Sequence, residues 1–343
     1  MLRSPALSIF CSFLGAFLIS LALAPRVALA QSDIPNNVIP IYAIQGHGDA
    51  TPLLGEWVDT YGVVTGVSDT GFYLQDPVGD DDVTTSDGIF VYTRTRPQVE
   101  IGACVLITRG FVDEFYEKTE LSRANPPQAV DYCTLTTGAP GGLAAAATVP
   151  PAEPGIDPVE RFESLEGMRV RVDDLIGTVQ GPTKRFRNGD VEIAFLPDPW
   201  PETLPGARVF QAEPEAMQGL MFVSGSLGAA LPELHWGDRI GIGAAPGDED
   251  AVNAVLDFNF GKYQLMLLPG EAVTATVTSE QPRGPLIAPA REDEFTLCTL
   301  NLFGMGRGTE QFRDDATYLQ QLTKRARAVS ESLGGCTVIA LQE

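Results

Sequence analysis

Two stretches rich in glycine, proline and alanine divide this chain of 343 residues and limit the size of any one hydrophobic core. Residues 138–158 hold four Gly, five Pro and six Ala, and residues 279–294 hold three Pro without apolar periodicity. Segments of this composition do not continue a helix or a strand. We therefore expect two linkers, which join three folded parts at 31–137, 159–278 and 295–343.

The first thirty residues have the organisation of a signal peptide. Arg3 supplies a positive charge, an apolar stretch follows, and Ala28-Leu29-Ala30 is a small-x-small cleavage site. We expect residues 1–30 to direct secretion, to the outside of the cell or to a periplasm, and no stable membrane partner after cleavage. The alternative is a retained membrane anchor, because the apolar stretch is close to spanning length.

The charge of the chain restricts its partners. There are 23 basic and 45 acidic residues, a net charge of −22. A surface this acidic repels phosphate backbones at long range, so a nucleic acid must be held by a local site or a metal ion. His47 and His235 are the only histidines in the sequence, which excludes most serine and cysteine triads and multi-histidine zinc sites.

The cysteines after the signal peptide are even in number, as disulfide pairing in an oxidising compartment requires. They are Cys104, Cys133, Cys298 and Cys336. We favour Cys104–Cys133, because both lie in the first folded part, which leaves Cys298–Cys336 as the remaining pair. Buried free thiols are the alternative.

The first two folded parts carry short strand patterns. Residues 57–67 are β-branched and punctuated by glycine, as in a strand that bends around a small barrel, and residues 71–76 alternate in polarity. With further strand patterns at 88–93 and 104–112, they predict an N-terminal all-β OB-like barrel. Residues 159–278 repeat the style and predict a second all-β module.

The third part changes character. Residues 295–302 and 337–341 predict strands, and Gly334-Gly335 ends a helix between them. Strand, helix and strand form the first β-α-β part of an α/β sandwich. One helix cannot cover both faces of a sheet, so we expect the domain to continue after Glu343. The helix is predicted by apolar residues at spacings of three and four, namely Phe312, Ala316, Leu319, Leu322, Ala326, Val329 and Leu333.

Several motifs together resemble one protein family. Thr299-Leu300-Asn301-Leu302-Phe303 and Ile339-Ala340-Leu341-Gln342-Glu343 resemble the opening strands of the endonuclease/exonuclease/phosphatase superfamily. Gly71-Phe72-Tyr73-Leu74-Gln75-Asp76 resembles the OB-like domain of secreted bacterial nucleases, and Phe260-Gly261-Lys262-Tyr263 resembles the segment that joins it to the nuclease domain. The resemblance covers nearly all of the chain after the signal peptide. It implies a secreted Mg²⁺-dependent (or Mn²⁺-dependent) hydrolase that cleaves DNA or RNA.

The resemblance also implies roles for two residues. Glu343 would be a metal ligand, because Mg²⁺ is bound by carboxylate oxygens, and Asn301 would be a catalytic residue that orients water or a phosphate oxygen. The family's later Asp-x-Asn element and late Asp-His pair have no counterpart here, so we expect the chain to be inactive alone. The simpler interpretations are an exposed strand-end acid for Glu343 and a turn or cap residue for Asn301.

Nucleic-acid contacts are predicted at two places. If the OB-like domain binds single strands, Tyr73 and Tyr92 would stack on bases, whereas Phe72 and Phe90 would be core residues. Lys184, Arg185 and Arg187 flank Phe186 and would touch phosphates. The alternative for this basic patch is an ordinary exposed β-turn, because Asn188-Gly189 follows.

The sequence contains one acidic cluster close to the strand pattern at 71–76. Gly79-Asp80-Asp81-Asp82, with Asp76 and Asp87, suggests Ca²⁺, but the spacing differs from an EF-hand loop and favours a solvated hairpin turn. The first rival function is a non-catalytic secreted OB-type protein that binds nucleic acid or glycan. The second keeps the superfamily and changes the substrate to a phospholipid or a phosphomonoester.

Overall fold

The computed structural model describes residues 34–133, 147–148, 157–186, 188–198, 209, 217–243, 252–277, 290–302, 304–305 and 314–342. The predicted signal peptide and most of both predicted linkers lie outside these ranges. Among the helices within them, none is long and apolar enough to cross a bilayer. The described chain is mostly β-structure.

The first folded part is a closed five-stranded barrel with OB-type connectivity, as the strand pattern predicts. Its strands pair in the order β1-β2-β3-β5-β4 and close through β1 with β4; β3 and β5 are parallel and the other neighbours antiparallel. A short strand, β6, adds to β4. The bounds are β1 (Trp57–Val67), β2 (Gly71–Gln75), β3 (Gly88–Tyr92), β4 (Cys104–Glu114), β5 (Thr119–Ser122) and β6 (Gln128–Ala129).

Side chains along β2 and β3 alternate between the core of the barrel and its outer surface. Phe72 and Leu74 point into the barrel and are fully buried, whereas Tyr73 and Phe90 point outwards. The short helix α1 (Ile41–Gln45) adds two further fully buried side chains to the barrel core. That core comprises Ile41, Ile44, Val58, Val64, Val67, Phe72, Leu74, Ile89, Val91, Val105, Ile107, Val112 and Leu121.

The second folded part repeats the connectivity of the first, strand for strand. Its first strand is interrupted at Asp173-Asp174 and appears as β8 and β9; β9 pairs with β11, β11 with β12, β12 in parallel with β15, β15 with β14, and β14 with β8. β13 and β16 extend the sheet from β9. The elements are β7 (Ala147–Thr148), α2 (Pro158–Phe162), β8 (Arg169–Val172), β9 (Leu175–Val179), β10 (Lys184–Arg185), β11 (Val191–Pro197), β12 (Met221–Ser224), β13 (Arg239–Ile242), β14 (Val252–Asn259), β15 (Lys262–Leu267) and β16 (Val273–Thr276).

The two barrels touch through backbone as well as side chains. A Cβ on Gly88 of β3 would collide with the backbone of Gly167 and Met168, just before β8. Ser86 Oγ donates to the carbonyl of Glu166 at 2.6 Å, and Arg169 N donates to Gln75 Oε1 at 2.8 Å. A third apolar cluster fills the interface with Tyr73, Phe90, Leu227, Val255, Met266 and Leu268.

Both predicted disulfides are present. Cys104, the first residue of β4, is bonded to Cys133, with 5.8 Å between their Cα atoms. Cys298 is bonded to Cys336, with 6.1 Å between their Cα atoms. The alternative of buried free thiols is therefore wrong for all four cysteines.

The third part contains the predicted strand, helix and strand. β17 (Leu297–Asn301) and β18 (Val338–Gln342) are parallel, and α3 (Asp315–Arg327) lies between them in sequence, followed by a π-helical turn at Ala328–Ser332. The predicted apolar helix face is open to solvent, since Leu319 is 55% exposed. The larger α/β sandwich stays a prediction.

The contact at Gly88 provides a test of how the barrels are held. We expect Gly88→Ala to destabilise the protein by about 1–3 kcal/mol, because the added methyl group forces the barrels apart. Gly181→Ala is the matched control, since nothing lies within 4 Å of the added Cβ. Urea unfolding measures both variants, and equal midpoints for the two would contradict the close contact.

Candidate ligand-binding groove between the barrels

A groove of ≈ 1290 Å³ lies between the two barrels. Barrel 1 contributes the outer faces of β2, β3 and β5, and barrel 2 contributes β11, β12 and β15, the strands in the corresponding positions. The face formed by strands 2 and 3, with the loops between strands 1 and 2 and between strands 4 and 5, is the ligand-binding face of OB-type barrels. Both faces therefore open onto one groove.

The corresponding loops of both barrels also line the groove. In barrel 1 these are the β1–β2 turn at Ser68–Thr70 and the β4–β5 hairpin at Phe115 and Lys118. In barrel 2 they are the β10–β11 turn, with Phe186 and Asn188, and the β14–β15 hairpin, with Asn259 and Phe260. The strand order places these loops beside the binding face of each barrel, and the packing of the two barrels brings both sets onto one groove.

Aromatic side chains stand in or beside the groove with their rings accessible. Tyr92 is 38% exposed, Phe115 is 53% exposed and Phe260 is 78% exposed. Exposed rings of this kind are available to stack on flat or apolar parts of a ligand.

Basic residues gather on the barrel 1 side of the groove. Arg94, Arg96 and Arg123 are all exposed. Arg96 Nη1 lies 3.1 Å from Asp69 Oδ1 in an open ion pair, a type that adds little stability and is readily exchanged. Arg123 stacks on Phe111, with its guanidinium carbon 4.5 Å from the ring centroid. These arginines share the groove with acidic residues, which are Asp69, Asp113, Glu120, Asp190, Glu192 and Asp257.

A buried ion pair crosses the interface at the base of the groove. Lys118 Nζ lies 3.2 Å from Asp257 Oδ1, and their side chains are 9% and 1% exposed. Gln264 Nε2 donates to Asp257 Oδ2 at 3.4 Å, and the Lys118 ammonium lies 4.5 Å from the Phe90 ring centroid. Removing one partner of such a pair would leave an uncompensated buried charge.

Further acids crowd this ion pair. Burial raises the pKa of Glu120 to about 7; nearby Lys118 opposes the rise, and the charges of Asp113 and Asp257 add to it. Burial also raises the pKa of Glu166, with the charge of Glu163 as the next cause. Glu166 Oε1 accepts from Thr119 N at 3.2 Å.

The structure separates the two tyrosines predicted to contact nucleic acid. Tyr73 is 2% exposed, its ring centroid lies 4.9 Å from that of Phe90, and its hydroxyl donates to Met266 Sδ at 3.1 Å. The prediction of Tyr73 as a stacking residue is therefore corrected, because the facing barrel covers the ring. Tyr92 remains accessible. Phe72 is a core residue, as predicted, and Phe90 lies in the interface.

The predicted basic patch forms a hairpin arm at one end of the groove. Lys184 and Arg185 constitute β10, which pairs with β11. Arg185 Nε donates to Glu233 Oε1 at 2.6 Å, and Lys184 Nζ lies 4.5 Å from the Phe186 ring centroid. Arg187 lies outside the described residues. The contact of this patch with nucleic acid stays a prediction.

The predicted metal site is only partly within the described chain. Asn301 ends β17 beside Gln342 at the end of β18, so the carboxyl ends of both strands meet at one edge. Glu343, the next residue, lies outside the described residues. Across the described ranges, no three His, Cys, Asp or Glu side chains are grouped as a metal ion requires.

In the acidic cluster after β2, aspartate side chains accept hydrogen bonds from backbone N–H groups of the same loop. Asp76 Oδ1 accepts from Val78 N and Gly79 N, and Asp82 Oδ1 accepts from Thr84 N at 2.9 Å. Burial, with the charges of neighbouring aspartates, raises the pKa of Asp87 to about 6. These contacts support the hairpin-turn interpretation over a Ca²⁺ site.

Sequence reasoning missed most of the groove. Arg94 and Arg96 are distant in sequence from Arg123, and only the packing of two barrels joins these arginines to Phe260. A signal does exist for the two hairpins, where Asp113-Glu114-Phe115-Tyr116-Glu117-Lys118 and Asp257-Phe258-Asn259-Phe260-Gly261-Lys262 share an Asp, an aromatic and a Lys at the same spacing.

Comparisons with known proteins find matches among solved structures. No protein-family model and no curated protein matches the chain. Its structure is similar to the Ifi202 HINa domain in complex with 20-bp double-stranded DNA (TM-score 0.21, 9% identity, 64% of this chain and 96% of that chain). It is also similar to a murine DNA-binding protein bound with double-stranded DNA (0.21, 11%, 65% and 97%) and to fission yeast Pot1 with single-stranded DNA (0.23, 10%, 66% and 85%). These TM-scores are too low to support a conclusion about fold or function. The fold assignment therefore rests on strand connectivity.

The raised pKa of Glu120 predicts a pH-dependent stability. The folded protein holds this proton up to a pKa of about 7, above the ordinary 4.5, so this group's contribution to stability is lost as pH rises between those values. We expect Glu120→Gln, which mimics the protonated acid, to gain stability relative to the wild type across that range.

The check is thermal unfolding of both proteins from about pH 4 to pH 8. Glu160→Gln, at an exposed position on α2, is the control and should follow the wild type throughout. A constant difference between Glu120→Gln and the wild type across the pH range would refute the coupling.

Proposed function

We propose that this protein binds single-stranded nucleic acid in the groove between its two barrels. The observation that carries the proposal is the convergence of two OB-type binding faces, with their loops, on one groove. Proteins that bind single strands combine cations along the backbone with aromatic rings that stack on bases. Both kinds of group are present here.

The charge distribution restricts how a nucleic acid could be held. The net charge of −22 opposes a long cationic track. Arg94, Arg96 and Arg123 would instead neutralise a few phosphates on one side, while Tyr92 and Phe260 would stack on bases. A site of few phosphate contacts gives moderate, salt-dependent affinity without demanding a basic protein.

Binding should therefore weaken with salt, with a slope set by the three arginines. Affinity for a labelled oligothymidylate of about 16 nucleotides is measured by fluorescence anisotropy between about 50 and 200 mM salt. Replacing Arg94, Arg96 and Arg123 by Ala should reduce the slope of log K against log salt by about 2.

Arg171→Ala is the control, because Arg171 is exposed on β8, outside the groove, and paired with Asp173. Failure of the wild type to bind the oligonucleotide would overturn the proposal. Binding of a neutral glucan in its place, with no salt dependence, would identify the protein as a glycan-binding module.

A second, more specific function extends the first: a secreted metal-dependent nuclease of the endonuclease/exonuclease/phosphatase superfamily, with the barrels holding its substrate and with this chain inactive alone. The parallel pairing of β17 and β18 favours it, because Asn301 lies beside the residue that precedes Glu343. An amide and a carboxylate provide the oxygen donors that Mg²⁺ prefers. When bound, the ion would supply Lewis-acid polarisation of a phosphoryl oxygen.

In this proposal two residues of the chain hold the ion and orient the substrate. Glu343 would bind the ion, and Asn301, fixed at the end of β17 by its pairing with β18, would orient a substrate oxygen. Residues 1–30 would direct the protein out of the cell, where its disulfides are stable.

A Mn²⁺ titration followed by electron paramagnetic resonance tests this site without relying on catalysis. We expect Glu343→Gln to weaken Mn²⁺ binding by about tenfold or more, since it removes an anionic ligand. Glu294→Gln is the control, because Glu294 is exposed and pairs with Arg291. If Glu343→Gln and the wild type gave the same titration curve, the metal site would be disproved.

A further inference from the structure

The β4–β5 and β14–β15 hairpins are the same connection in the two barrels, and both are two-residue turns. In barrel 1, Phe115 N donates to the carbonyl of Lys118 at 2.9 Å, which leaves Tyr116 and Glu117 as the loop. In barrel 2, Asn259 pairs with Lys262, which leaves Phe260 and Gly261. The first loop residue is thus aromatic in both barrels.

These aromatics occupy an unfavourable backbone conformation. Tyr116 has φ 51° and Phe260 has φ 54°, in the left-handed region that bulky side chains avoid. Turns of this shape favour Asn or Gly at that position. Residues held in such conformations are concentrated at functional sites, where the surrounding structure compensates for the strain.

Burial does not explain the choice of residue. Tyr116 is 75% exposed and Phe260 is 78% exposed, so neither ring gains much from removal from water. Phe260 lines the groove, and Tyr116 makes an edge contact with Phe115, which also lines it, at 4.7 Å between ring centroids. Two large rings therefore stand at equivalent tips, against backbone preference and open to solvent.

We infer that Tyr116 and Phe260 are a pair of stacking residues, one from each barrel, which grip bases of a single strand lying in the groove. This inference rests on the proposed function and adds to it the residues that hold the bases. Two tips from separate barrels would contact separate bases, so each should contribute to affinity on its own.

Substitution by Asn separates a binding role from a structural one. Tyr116→Asn and Phe260→Asn place a residue suited to the turn, and each should raise the melting temperature by about 2–4 °C. Each should also weaken binding of oligothymidylate by about tenfold, and the double variant should lose about the product of the two effects. Phe295→Asn is the control, since Phe295 is a 75% exposed aromatic in the third part, on neither barrel.

The outcomes distinguish this inference from the function on which it rests. If the wild type and both variants bind with equal affinity, the stacking pair is wrong and the groove proposal stands. If both variants melt below the wild type, the rings are structural and the inference also fails. If the wild type does not bind the oligonucleotide at all, it is the proposed function that falls.

Discussion

The backbone contact between Gly88 and the segment Gly167-Met168 is the constraint on which the rest of the structure depends. Because no side chain separates the barrels at this point, neighbouring groups on both sides must pack or pair. Tyr73 loses its exposure here, and Lys118 and Asp257 become a buried ion pair. The packing of the two barrels also brings their two OB-type binding faces onto one groove.

This contact matters because it joins two barrels that have the same strand connectivity. Each barrel supplies equivalent strands and loops, yet their chemistry differs: barrel 1 offers arginines and Tyr92, whereas barrel 2 offers Phe260 together with the acids Asp190, Glu192 and Asp257. A ligand in the groove would meet cations on one side and a stacking surface on both. That division suits a polymer with a charged backbone and flat bases, and it explains how so acidic a chain could still hold one.

Local pattern was sufficient for much of the fold. Alternation around Phe72 and Leu74 predicted the first barrel, and cysteine positions indicated both disulfides. Closure of the second barrel was not predictable, because its first strand is broken at Asp173-Asp174 and its pairing strands are distant in sequence. Tyr73 was misassigned for a related reason: alternation shows that a side chain leaves the core, but not that another barrel covers it.

The disulfide between Cys104 and Cys133 has a mechanical consequence. Cys133 is the point from which the chain leaves barrel 1 towards residues 138–158, and Cys104 begins β4, which pairs with β1, β5 and β6. Any pull transmitted along that connecting segment reaches a central strand directly instead of peeling away the two-residue β6 at the margin. The disulfide therefore anchors the C-terminal end of barrel 1 to β4. A force applied through the connecting segment would be distributed over the strands that pair with β4.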